Sequence, residues 1–337
     1  MKAFPQLSIF ILMLMIKTSI LNAQTCSTNE LDKRADAYLK KIAHEKSMAE
    51  LMSGTVADLR KQEPEVYKKL PDENVKRIKI TDKQIGLNIV SADKTVDAMA
   101  IIRFHGGGFI RPLLPWMENE ALMLAQRFNA VVFDVDYRVA PEHPFPAAKD
   151  DAYAAYLWVR ENAKSHGADP EKIILLGEGS GGTLVALTMH KAKKESKHEA
   201  IKSVIMICPI TDNPLISFYT SYEDNAKGYG LSKDESVYQV QQYLDKSIWF
   251  ASSGDVWPIY ENELLGMPPS LIITTEFDVL RDEGIAYGKK LERAGNRSAI
   301  KCFPHQLHAF AGLPENAEER KRVYELIDEI IQFGLSR

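Results

Sequence analysis

Cysteine is scarce in this chain, with three thiols in 337 residues. Three are too few for a disulfide scaffold, and an odd count leaves at least one unpaired. Cys208 ends an apolar run, Val204 to Ile207, and reads as a small buried hydrophobe. None of the three has a base partner visible in the sequence. One-signed charge is also lacking: the net charge is −4 and both signs are dispersed. With no basic stripe to follow a phosphate backbone, the sequence argues against a nucleic-acid partner. The short run Lys191 to Lys197 reads as a solvated helix end. The histidines lack zinc-ligand spacing, so no metal is expected. No phosphate loop or dinucleotide fingerprint occurs, so no cofactor is expected. A long apolar run is missing too. Leu7 to Ile16 is ten residues, too short to span a bilayer comfortably. With Lys2 before it and small or polar residues after it, it reads as a secretory signal cut after Ala23. The expectation is an exported protein, periplasmic or secreted, without stable membrane insertion once the signal is removed.

What is present centres on Gly177-Glu178-Gly179-Ser180-Gly181-Gly182. An apolar run, Ile173 to Leu176, precedes it and a helix-like run, Thr183 to Leu187, follows it. Strand, glycine-rich turn and helix are the setting of a G-x-S-x-G nucleophile elbow. The serine of that pattern falls at Gly179, and the nearest hydroxyl, Ser180, is one residue late. Two other segments fit the same chemistry. His105-Gly106-Gly107-Gly108 follows a buried-type strand, and glycines there leave backbone N–H groups free to hold a forming oxyanion. Asp278 and His308 follow two further strand candidates, in the elbow–Asp–His order of α/β hydrolases.

Taken together, these segments resemble the hormone-sensitive lipase family of α/β-hydrolase carboxylesterases. His105 to Gly108 matches its HGGG, and Asp136 to Ala148 matches its Tyr-Arg-Leu-Ala-Pro-Glu stretch almost letter for letter. Asp169-Pro170 and Gly177 to Leu184 match its Asp-Pro and Gly-Asp-Ser-Ala-Gly-Gly-Asn-Leu, with Gly179 for Ser, Ser180 for Ala and Thr183 for Asn. Asn225 to Leu231 and Phe277 to Gly284 fit as well, so the likeness runs from about Ile80 to the C-terminus. The resemblance implies hydrolysis of small carboxylic esters, with His308 as general base and Asp278 orienting it. It implies oxyanion donors at Gly107, Gly108 and the N–H of Ser180. The attacking oxygen is missing.

Glycine is comfortable at such a turn, where a side chain costs about 1–3 kcal/mol of backbone strain. The change should therefore spare the fold and remove covalent catalysis, which in a comparable triad is worth about a million-fold. Four readings stand. Serine-esterase turnover is impaired by Gly179. Ser180 is the nucleophile of an elbow shifted by one, which would place Glu178 where close packing needs glycine; in the unshifted frame Ser180 simply opens the helix and points away from His308. His308 with Asp278 works as the general base of a lyase or hydrolase without a serine nucleophile. Or the chain is a non-catalytic receptor for a small ester or carbonyl ligand. Smaller expectations are a buried contact between Arg138 and Glu142, a structural His143, no role for His305, and helix-start pairing for Asp282.

Eight strand candidates alternate with long helices: Val75 to Ile80, Gly86 to Val90, Met99 to Phe104, Val131 to Tyr137, Ile173 to Leu176, Val204 to Ile207, Leu271 to Thr275 and Ile300 to Phe303. This pattern predicts an α/β fold, a mainly parallel eight-stranded sheet flanked by helices. The expected organisation is a signal at 1–23, N-terminal cap helices over 24–74, and a hydrolase core over 75–337 with a cap insertion at about 215–263. Tyr219, Tyr222, Trp249, Phe250 and Trp257 of that insertion either line a channel or pack the cap on the core, the second accounting for most of them.

Overall fold

The computed structural model describes residues 26, 28–42, 55–60, 75–82, 85–91, 95–114, 117–308, 310 and 317–337. The expected signal, 1–23, lies outside them, as do 43–54 and 61–74 of the expected cap-helix segment. Among the described residues no helix is long and apolar enough to cross a membrane.

Each expected strand is found. They are β1 Val75–Ile80, β2 Ile85–Ser91, β3 Ala98–Phe104, β4 Val131–Asp136, β5 Ala168–Glu178, β6 Ile201–Ile207, β7 Ser270–Phe277 and β8 Ser298–Leu307. They form one sheet in the order β1-β2-β4-β3-β5-β6-β7-β8. β2 runs antiparallel to both neighbours, and every other pairing from β4 to β8 is parallel. Near-continuous Val, Ile and Leu in the central strands reflect burial on both faces. Alternation sorts them: Ile173 and Leu175 of β5 enter one core, Ile174 and Leu176 the other.

The helices are α1 Lys33–Ile42, α2 Val56–Arg60, α3 Met117–Phe128, α4 Ala147–Asn162, α5 Ser180–Lys194, α6 Thr220–Asp224, α7 Lys233–Tyr243, α8 Arg281–Arg293 and α9 Ala317–Leu335. α4 and α5 pack with one core, whereas α3 and α9 cover the other face. In α9, Val323, Ile327, Ile330 and Ile331 recur at helical spacing and are buried. Residues 208–269 carry no strand, and α6 and α7 lie within them. There Tyr222 and Trp257 are buried in the main core, Tyr219 and Trp249 pack against it, and Phe250 is exposed. Packing thus accounts for four of the five aromatics.

The N-terminal segment is held in place by long-range contacts. Ala35 of α1 packs with Phe277 and Leu307. Cys26 is disulfide-bonded to Cys302 on β8, leaving buried Cys208 as the free thiol. Backbone N–H groups of Asn29 and His305 donate to the Glu276 carboxylate.

Candidate functional site

The parallel strands end together, and the loops beyond β3, β5, β7 and β8 meet there, where open α/β sheets place their ligands. The elbow follows β5. Gly179 has φ 53° and ψ −120°, a left-handed conformation that L side chains rarely adopt. α5 starts at the next residue. Two flanking glycines allow the tight turn: a Cβ on Gly177 would fall 2.3 Å from the Gly181 carbonyl oxygen, and one on Gly181 would fall 2.0 Å from that of Phe104. Glycines thus stand two before and two after position 179.

Ser180 opens α5, fully buried, and its Oγ makes no hydrogen bond to His308. A Cβ built on Gly179 instead meets His308 Nε2 at 3.6 Å. The side-chain direction at 179 therefore points at the imidazole, as the sequence order implied.

On the opposite side of the site, Asp278 is fully buried just beyond β7, and its Oδ2 lies 2.8 Å from His308 Nδ1. Its Oδ1 accepts from the Leu280 N–H, which fixes the carboxylate. Asn225 adds a second brace by donating to the Glu276 and Asp278 carbonyls. Burial pulls the His308 pKa down, but the Asp278 charge and hydrogen bond outweigh it and hold it well above the usual histidine value.

The loop after β3 supplies the third part. Gly107 and Gly108 have φ of 117° and 61°. His105 is buried and neutral, its pKa pushed down to about 3 by burial. Its Nδ1 donates to the Gly106 carbonyl at 2.7 Å. Tyr137, in the stretch after β4, stacks on the His105 ring at 4.2 Å and donates its hydroxyl to the His105 carbonyl. The Tyr-Arg-Val-Ala-Pro-Glu stretch is therefore a brace for the glycine loop. Its polar contacts differ from expectation. Arg138 pairs with buried Asp151, 2.7 Å apart, and exposed Glu142 pairs with Arg60 of α2. Residue spacing could not separate Asp151 from Glu142 as the partner, because α4 brings Asp151 back over the loop. His143 is exposed. His305, given no role above, anchors the N-terminal segment through Glu30 and Thr28. Asp282, in the first turn of α8, accepts from the Ser221 N–H.

Three site residues escaped the sequence reading. Cys208 has a base partner after all: its Sγ, an Asp278 oxygen and a His308 ring nitrogen lie within 4.8 Å of one another. Three distant segments supply this group, so no ligand spacing could reveal it. Burial and the Asp278 charge push the thiol up to about 11, so it stays protonated and is a poor substitute nucleophile. Gln239 of α7 packs onto Gly108, its Oε1 2.1 Å from where a Cβ would sit. Glu235, one turn earlier, accepts from the Gln239 amide and turns that oxygen towards the glycine loop. Glu178, inside the elbow itself, is the third.

Comparison with known proteins agrees with this fold. The family profile described as alpha/beta hydrolase fold matches residues 101–312. An arylesterase of Saccharolobus solfataricus is 30% identical over 246 residues, 72% of this chain and 78% of the relative. An ethyl acetate hydrolase of Pseudomonas putida is 28% identical over 71% of this chain and 74% of its own length. The solved hyperthermophilic esterase from the archaeon Pyrobaculum calidifontis superposes with a TM-score of 0.80 at 28% identity, over 90% of this chain and 98% of that one. The chain belongs to the hormone-sensitive lipase family of α/β hydrolases.

Proposed function

We propose that the chain binds small carboxylic esters, or related carbonyl compounds, between the elbow, the glycine loop and α7, and that the serine route to an acyl-enzyme is missing. Gly179 carries this reading. It holds the backbone shape of an elbow and directs its side-chain position at His308, 3.6 Å away, yet has no oxygen to offer. His308 and Asp278 remain the proton-handling pair, and Gly107, Gly108 and the Ser180 N–H the cradle for a carbonyl oxygen. The names of the relatives support a small ester as the ligand.

Gly179→Ser tests it. Hydrolysis of a short-chain chromogenic ester should rise by orders of magnitude over the natural protein. Strong natural turnover abolished by Ser180→Ala would establish the shifted elbow instead. Saturable ester binding with no natural turnover would mark a receptor.

We also propose that the chain is exported. Pairing of Cys26 with Cys302 supports this, because such bonds persist in oxidising compartments. Mass spectrometry of protein recovered outside the cytoplasm should find an N-terminus at Gln24. Intact chain held inside the cell would contradict it.

A further inference from the structure

Cys208 stands beside the Asp278–His308 pair without a role in ester chemistry. It directly follows β6, and its φ of 46° is a conformation that L side chains rarely adopt. Its N–H donates to the Ile273 carbonyl at 2.7 Å, which ties this bend to β7. Backbone held in that region is strained and collects at active sites and ligand clamps. The thiol it aims lies within 4.8 Å of both an Asp278 oxygen and a His308 ring nitrogen. Cys208 and Asp278 are fully buried, while His308 is partly exposed and opens the group to solvent. The Leu280 N–H holds Asp278 Oδ1 at 2.9 Å, which leaves Oδ2 turned towards the group.

We propose that Cys208, Asp278 and His308 form a binding site for zinc, and that zinc bound there switches the proton-handling pair off. A thiolate, an imidazole and a carboxylate are donors that zinc takes, at about 2.0–2.3 Å. Calcium and magnesium ask for a shell of oxygens instead. Tetrahedral ligands at zinc lengths stand roughly 3.3–3.8 Å apart. The group therefore closes by about 1 Å at its widest, and the 2.8 Å contact between Asp278 and His308 opens slightly. The fixed Asp278 Oδ1 supplies the outer support that orients a ligand.

The switch follows from the imidazole. As zinc binds, the thiol proton leaves to solvent, because a coordinated sulfur is a thiolate. His308 Nδ1, the nitrogen beside Asp278, gives its lone pair to the metal, so the ring proton resides on Nε2. Nε2 is the atom that a Cβ at position 179 would meet at 3.6 Å. Carrying a proton, it cannot accept one from a nucleophile there. Nothing is oxidised or reduced, and a chelator restores the pair. Metal binding stands independently of the ester-site reading; the switch rests on it.

Cobalt(II) titrated into metal-free natural protein tests the site without any ester. Cys26 and Cys302 are joined, so Cys208 is the thiol available to bind. One equivalent should produce a sulfur-to-cobalt absorption band in the near ultraviolet, and zinc should erase it. Cys208→Ser should abolish the band. His308→Ala should weaken cobalt affinity by at least about 100-fold, beyond what loss of a supporting partner alone costs. Absence of the band in the natural protein overturns the site. If Cys208→Ser fails to fold, undiminished cobalt affinity in His308→Ala overturns it. In Gly179→Ser, zinc should reversibly suppress hydrolysis of para-nitrophenyl acetate, and adding Cys208→Ser should remove that sensitivity. Zinc-loaded Gly179→Ser working at full rate overturns the switch. A Gly179→Ser protein that shows the band but no hydrolysis overturns the ester-site reading together with the switch, and leaves the metal site standing.

Discussion

The two sides of the site have kept different things. On the β7–β8 side both side chains are present: buried Asp278 and partly exposed His308 are 2.8 Å apart, with Asn225 bracing the Glu276 and Asp278 carbonyls. On the β5 side only the geometry is intact. Gly177, Gly181 and the positive φ of Gly179 form an elbow with nothing at its tip. The difference teaches that the turn is held by packing, not by the residue it presents. Close approach of the Gly177, Gly181 and Phe104 backbones fixes the bend, so the tip can lose its side chain without loss of shape. Glycine at φ 53° even relieves the penalty a serine would carry there.

That comparison can be broken most forcefully at position 179. Gly179→Ser should raise esterase kcat substantially, towards the roughly million-fold that a serine contributes in a comparable triad. It should also lower thermal stability by about 1–3 kcal/mol, read by denaturant melts. A variant that folds, gains nothing and binds no ester would show that the β7–β8 side is not poised for this chemistry. Next in size is the orienting carboxylate. In the Gly179→Ser background, Asp278→Asn should cost about ten-thousand-fold in kcat, since the wrong imidazole tautomer is then held. A loss below tenfold would mean that His308 works without its brace.

Much of this was legible in the sequence, and the part that was not has a common cause. The central strands showed as apolar runs because the parallel sheet buries both faces, whereas antiparallel β1, VKRIKI, shows buried ends around exposed Lys and Arg. Gly177 and Gly181 were readable as an elbow because backbone contact at 2.0–2.3 Å tolerates no side chain there. Strand order was not readable, since pairing β3 beside both β4 and β5 is a long-range outcome of burial. The same holds for the Cys26–Cys302 bond, the Arg138–Asp151 pair and the nearness of Cys208 to His308. In each case the partners are supplied by separate elements, so spacing carries no signal.

The packing half of the comparison sharpens with Gly177→Ala. Forcing a methyl to 2.3 Å from the Gly181 carbonyl oxygen should cost more than the about 1–3 kcal/mol of backbone strain that Gly179→Ala carries at φ 53°, where the Cβ meets nothing nearer than 3.6 Å, both measured by denaturant unfolding. Equal losses would contradict the claim that flanking contacts hold the turn.

The smallest effect concerns pH. His308 must be neutral to accept a serine proton, and Asp278 holds its pKa well above the ordinary value despite burial. Turnover of Gly179→Ser should therefore keep rising above neutrality, and Asp278→Asn should move that rise to lower pH. For stability the sign is the reverse. A folded-state pKa that is raised stabilises fully below the unfolded histidine value, about 6.5, and that contribution is lost as pH rises through the folded value. The difference in melting temperature between natural protein and Asp278→Asn should shrink in alkali.

The most direct measurement is active-site labelling with a fluorophosphonate, read by intact-protein and peptide mass spectrometry. The natural chain should take up no label, whereas Gly179→Ser should become labelled on the introduced serine. A phosphonylated side chain in the natural protein, on Ser180 or anywhere else in the site, would contradict the account.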